Sequence, residues 1–224
     1  MTVQQRIETI RQRIRAALEQ AGRKDEVTLV AVGKTHPPEV LLQAYRAGIR
    51  HFGENYLQEA LAKQHALAHL DITWHFIGPI QANKTRAIAS RFHWVHSVDR
   101  LKIARRLSEQ RPDYLPPLNV CLQVNISGED SKSGIYPEEL PGLVEAVSAL
   151  PRLKLRGLMA IPAPCEDLQT QREPFRRLRE LLEKFADLGL DTLSMGMSAD
   201  LEAAILEGAT VVRVGSALFG PRRP

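Results

Sequence analysis

The feature that most constrains this chain is an alternation. Short apolar, β-branched runs recur along it, and each is followed by a segment whose apolar residues fall at helical spacing. The pattern predicts strands over 28–32, 49–52, 73–77, 94–97, 119–125, 154–159, 192–194 and 210–214. A leading helix over about 3–21 carries Ile7, Ile10, Ile14 and Leu18 and stops at Gly22. Pro37 and Pro38 suit the first turn of the next helix, which ends at Gly48. Asp99 is placed to cap the helix carrying Leu101, Ile103 and Leu107. Pro137 opens another helix, and Pro174 marks the start or a kink of the long helix with Phe175 and Leu178. Ser198 is placed to cap a helix that Gly208 ends. About eight strand–helix units behind one leading helix predict an α/β fold, a single (β/α)8 TIM barrel. The competing arrangement is an open doubly wound sheet. No repeat or linker-like stretch divides the sequence, so 1–224 reads as one domain.

Composition removes several classes of function. The 224 residues carry 30 basic and 26 acidic side chains, a net charge of +4. The arginines are scattered over helical faces without interleaved aromatics, which argues against a nucleic-acid partner. No apolar run reaches membrane-spanning length, and the amphipathic N-terminus lacks the apolar core of a secretion signal. Cys121 and Cys165 have no metal or redox spacing and read as thiols in a reducing compartment. The expected location is cytoplasmic. His65 and His69 stand at i, i+4 without an acidic or cysteine partner nearby, so a solvated helix face is expected there rather than a metal site.

Two stretches carry chemistry. In "VAVGKTHPPE" an apolar strand ends on Gly33 and is followed at once by Lys34. In a barrel the functional face lies at the C-terminal strand ends, so Lys34 stands on it. Position alone fits a solvated charge equally well; a desolvated amine there is a nucleophile toward carbonyls. In "MGMSADLEAAILEGATVVRVGSALFG", Ser198 follows the seventh strand, and Gly215 and Ser216 follow the eighth. Those two loops are where barrels commonly bind phosphate. An amine and an anion cup on one face suggest a phosphorylated carbonyl compound, with pyridoxal phosphate and sugar phosphates as candidates. His75, Gln81, Asn83 and Lys84 sit in "HFIGPIQANK"; Asn83 and Lys84, at a helix start after the third strand, fit either the cleft mouth or a plain loop and cap.

"VAVGKTHP", "HFGENYLQE", "WHFIGPIQANK", "VNISGEDSKSG", "GLMAI", "LSMGMSADLEAAI" and "VRVGSALFG" together resemble the pyridoxal phosphate homeostasis protein family, over about 27–220. That family is related to the N-terminal barrel domain of alanine racemase. The resemblance implies that Lys34 forms a Schiff base with pyridoxal 5'-phosphate, and that Ser198, Gly215 and Ser216 hold the phosphate. It implies that Arg213 faces the pyridine nitrogen, and that Asn55 and Lys132 lie near the cofactor or its path. A cation at that nitrogen disfavours ring protonation and weakens the ring as an electron sink.

The resemblance therefore implies a non-catalytic protein that binds, buffers or delivers the cofactor, with pyridoxal-phosphate-dependent apoenzymes as partners. It covers only the barrel of the racemase, so the second, β-rich domain and its dimer interface are not expected, and a monomer is. Pro38 stands where the racemase pattern places a phosphate-binding tyrosine. The alternatives are a pyridoxal-phosphate-dependent amino-acid racemase or lyase, and a Schiff-base aldolase acting on a sugar phosphate. A pure interaction module explains neither Lys34 nor the anion cup.

Overall fold

Strand β1 (Thr28–Val32) pairs on one side with β2 (His51–Glu54) and on the other with β8 (Val211–Val214), all in parallel. Between them run β3 (Thr73–Phe76), β4 (Trp94–Val98), β5 (Leu118–Gln123), β6 (Leu153–Met159) and β7 (Thr192–Ser194). The strands follow chain order around a closed barrel. This computed structural model describes residues 1–129 and 132–220. The expected barrel is present and the open sheet is excluded. Closure leaves no unpaired sheet edge.

The helices form the outer layer. They are α1 (Val3–Gln20), α2 (Pro38–Arg46), α3 (Leu57–Ala66), α4 (Thr85–Arg91), α5 (Leu101–Gln110), α6 (Leu140–Ser148), α7 (Leu168–Glu183), α8 (Leu201–Leu206) and the short α9 (Ser216–Phe219). The leading helix α1 starts with a capping box between Thr2 and Gln5 and buries Ile7, Ile10 and Ile14. It packs on α2, α8 and α9, over the seam where β8 meets β1. Arg13 on this helix donates to both carboxylate oxygens of Glu202 (2.5 and 2.8 Å) and to the Ser198 carbonyl (3.0 Å). The extra helix thus braces the loop after β7.

Alternation along the strands divides the interior in two. On β8, Val212 and Val214 join the large apolar cluster shared with the helices, while Val211 and Arg213 take the other face. The main hydrophobic layer lies between barrel and helices. The barrel axis also holds polar groups, among them His75, His96, Ser194 and Arg213.

Four local expectations are corrected. Strand two begins at His51 rather than 49, because Gly48 (φ +91°) and Ile49 still close the turn after α2. Asp99 does not cap α5; it pairs with Arg100 at 2.7 Å. Of the two readings of Pro174, only the start is excluded: it lies inside α7, which begins where Asp167 accepts from the Thr170 N–H at 2.7 Å. Ser198 is not a cap either, since α8 begins after Asp200.

Where β6 meets β7, a β-carbon added to Gly157 would lie 1.8 Å from the Thr192 carbonyl oxygen. Backbone cannot yield there without opening the barrel. Gly157→Ala is expected to lower the unfolding free energy by about 3 kcal/mol in urea denaturation; wild-type stability would contradict that contact.

Candidate functional site

A cleft of ≈ 510 Å³ opens at the C-terminal ends of β1, β2 and β8. Lys34, Asn55, Ser198, Arg213, Gly215 and Ser216 all line it. The six positions singled out from sequence are therefore brought together. Val32, Ile77, Ile161 and Met197 supply apolar wall.

Lys34 sits on a tightly held turn. Gly33 N–H donates to the Gly53 carbonyl (2.9 Å), and the Gly33 carbonyl accepts from Lys63 Nζ (2.7 Å). Lys63 also donates to both Glu54 oxygens at 2.9 Å, and both side chains are buried. A β-carbon at Gly33 would lie 2.6 Å from Glu54 Oε1, so a side chain there would displace this pair. Next along the chain, Thr35 takes φ +66°, a strained value for a β-branched residue, while its N–H donates to Glu59 (2.9 Å). The Glu54–Lys63 pair thus fixes the direction in which Lys34 leaves β1. Neither residue stood out in the sequence, because a buried acid and a lysine on the next helix share no motif.

The loops after β7 and β8 meet at the other side. Ser198 Oγ accepts from the Ala217 N–H and from Ser216 Oγ, both at 3.3 Å. Two hydroxyls and a glycine-led turn form the cup. A β-carbon at Gly215 would press on β1, 3.3 Å from the Val32 carbonyl.

Arg213 supplies the charge. Its side chain is 3 % exposed and donates to Ser194 Oγ (2.7 Å) and the Ala160 carbonyl (3.1 Å). Burial pulls its pKa down to about 10, which still leaves it a cation at neutral pH. Among the described residues no carboxylate forms an ion pair with it. A buried cation held by neutral dipoles and facing a cleft is suited to an electron-rich acceptor. Asn55 Oδ1 is buried with no hydrogen-bond partner, so this acceptor in the cleft wall is suited to a donor.

Other sequence candidates fall elsewhere. Gln81, Asn83 and Lys84 form a 3₁₀ turn before α4 and do not line the cleft. Lys132 lines an adjoining cleft of ≈ 280 Å³ with Gln123 and Asn55, 3.6 Å from Glu129. Its neighbours Asp130 and Ser131 lie outside the described residues. His65 and His69 are exposed, and no metal-ligand cluster occurs among the described residues. His36, passed over in the sequence, lines the cleft and packs on Phe219 with ring centroids 5.1 Å apart.

Fold and site together define a closed parallel barrel in which a strand-end lysine shares a cleft with Ser198, Gly215 and Ser216. The family model described as alanine racemase, N-terminal domain, matches residues 6–223. A protein of Pseudomonas aeruginosa named pyridoxal phosphate homeostasis protein is 64% identical over 222 residues, 99% of this chain and 96% of its own length. Its namesake in Escherichia coli K12 is 51% identical over 95% of this chain and 94% of its own. The structure of PipY from Synechococcus elongatus PCC7942 with PLP bound superposes with a TM-score of 0.84 at 35% identity, covering 98% of this chain and 100% of that one. This chain belongs to the alanine racemase N-terminal-domain family and, within it, to the pyridoxal phosphate homeostasis proteins.

Removing Lys63 would strand the Glu54 carboxyl beneath the Lys34 turn. Burial already raises the Glu54 pKa to about 7 against the pull of Lys63. A raised carboxyl favours the folded state at low pH, and that contribution is lost as pH rises from 4.5 through 7. Lys63→Met should therefore cost about 3–5 kcal/mol near pH 8 and distinctly less near pH 4, measured by urea denaturation. An equal loss at both pH values would contradict this reading.

Proposed function

We propose that this chain binds pyridoxal 5'-phosphate through Lys34 and holds it for delivery rather than for turnover. The carrying observation is that Lys34, the Ser198–Ser216 pair and the buried Arg213 line one cleft. The residues present fit the cofactor. Lys34 would hold the cofactor by its amine, condensing with the carbonyl carbon with loss of water. Ser198, Ser216 and the backbone at Gly215 receive the phosphate. The unpartnered Asn55 Oδ1 would suit a donor on the cofactor, and the apolar wall of Val32, Ile77 and Ile161 would suit its ring. When bound, the cofactor supplies an electron sink for carbanion chemistry.

Arg213 restrains that chemistry. A permanent donor at the ring nitrogen opposes its protonation, and the sink weakens. This supports a carrier over an amino-acid racemase or lyase. It acts as a cytoplasmic monomer that hands the cofactor to apoenzymes. The free thiols of Cys121 and Cys165 accord with a reducing compartment. No helix among the described residues is long and apolar enough to cross a membrane.

Absorption titration with pyridoxal phosphate tests the binding roles. Lys34→Ala should lose the visible band and keep only weak, phosphate-dependent binding. Ser198→Ala combined with Ser216→Ala should keep the band and weaken affinity about tenfold. Arg213→Gln should move the band more than the affinity. Transfer to an added apoenzyme, without α-proton exchange in added amino acids in deuterium oxide, would support the carrier reading. Rapid α-proton exchange would overturn it in favour of a racemase or lyase.

A further inference from the structure

A column of hydrogen-bonded rings runs through the barrel to the back of Arg213. His51 Nδ1 lies 2.9 Å from His75 Nε2, and His75 Nδ1 lies 2.8 Å from His96 Nε2. His96 Nδ1 lies 2.7 Å from Ser194 Oγ, which accepts from Arg213 Nη1 at 2.7 Å. The column thus links β2, β3, β4, β7 and β8. His75, His96 and Ser194 are buried, and His51 at the far end is half-buried. The ring of His75 is stacked on Trp94 (16° between planes, centroids 5.6 Å apart), which fixes its orientation.

Donor arithmetic sets the direction of the column. A guanidinium only donates, so Ser194 Oγ must accept from Arg213. The single hydroxyl proton of Ser194 then goes to its other neighbour, His96 Nδ1. Burial, reinforced by Arg213, pushes His96 down to about 3, and burial holds His75 well below the usual histidine range. Both rings are neutral and carry one proton each. His96 therefore keeps its proton on Nε2 and donates to His75 Nδ1. His75 in turn carries its proton on Nε2 and donates to His51 Nδ1. Every nitrogen along the column is matched once. The opposite direction would leave the Ser194 proton without an acceptor among the described residues.

We propose that His51, His75, His96 and Ser194 form a one-way donor chain, and that His96, acting through Ser194, is a positioning residue for Arg213. With Nη1 tied to Ser194 and Nη2 to the Ala160 carbonyl, the chain fixes which guanidinium N–H groups are presented to the cleft. The second half of the proposal rests on the reading of the cleft as a pyridoxal phosphate site.

Histidine side-chain ¹⁵N NMR on cofactor-free protein tests the direction. The expected result is a neutral ring with the proton on Nε2 at His75 and at His96. A proton on Nδ1 of either ring, or a charged ring at neutral pH, overturns the chain. Absorption spectra of the pyridoxal phosphate complex test the positioning. His96→Leu should displace the visible band and weaken retention about tenfold. His96→Gln should restore both, because an amide can accept from Ser194 and donate to His75. Should His96→Leu not fold, Ser194→Ala is expected to give the same displacement. Spectra unchanged in the Leu and Ala variants overturn the positioning role. A wild-type protein that forms no visible band overturns the cofactor reading, and the positioning role with it, while the tautomers still decide the chain.

Discussion

Pairing of β8 with β1 is the constraint on which the site depends. It sets Val30 opposite Arg213 and Ala31 opposite Val214. Lys34 follows one strand and Gly215 the other, so closing the barrel brings the two ends of the chain to one rim. Helix α1 packs over the same seam, and its Arg13 reaches the Ser198 carbonyl. An open sheet would have left these groups at opposite edges. Closure therefore creates the cleft.

Around the rim, charge is managed in two opposite ways. Beneath Lys34 the buried Glu54 is matched by Lys63, and the pair is spent on holding the Gly33 carbonyl. Arg213 has no such partner; hydroxyl and carbonyl dipoles hold it instead. A buried pair fixes geometry at small net cost, whereas a buried cation held by neutral groups keeps its charge available to a ligand. The difference fits a site that anchors a cofactor with a lysine and restrains it with an arginine.

Much of this was legible in the sequence. Alternating periods gave the strand count and the barrel, since a strand lined on both faces reads differently from an amphipathic helix. Lys34, Ser198, Gly215 and Ser216 were legible because strand ends and the last two loops are known places in a barrel. What stayed hidden was pairing across the fold. Nothing in the sequence joins Glu54 to Lys63, and Ser198 read as a cap although Asp200 precedes α8. His75 and His96 lie on the third and fourth strands with no motif to join them. Their partners lie on neighbouring strands, and only the barrel's register makes them a column.

The most direct test of the central claim is borohydride reduction of the pyridoxal phosphate complex, followed by mass mapping of the labelled peptide. The account predicts one stable adduct, on Lys34. A label on Lys132 instead, or no label on any lysine, would contradict it.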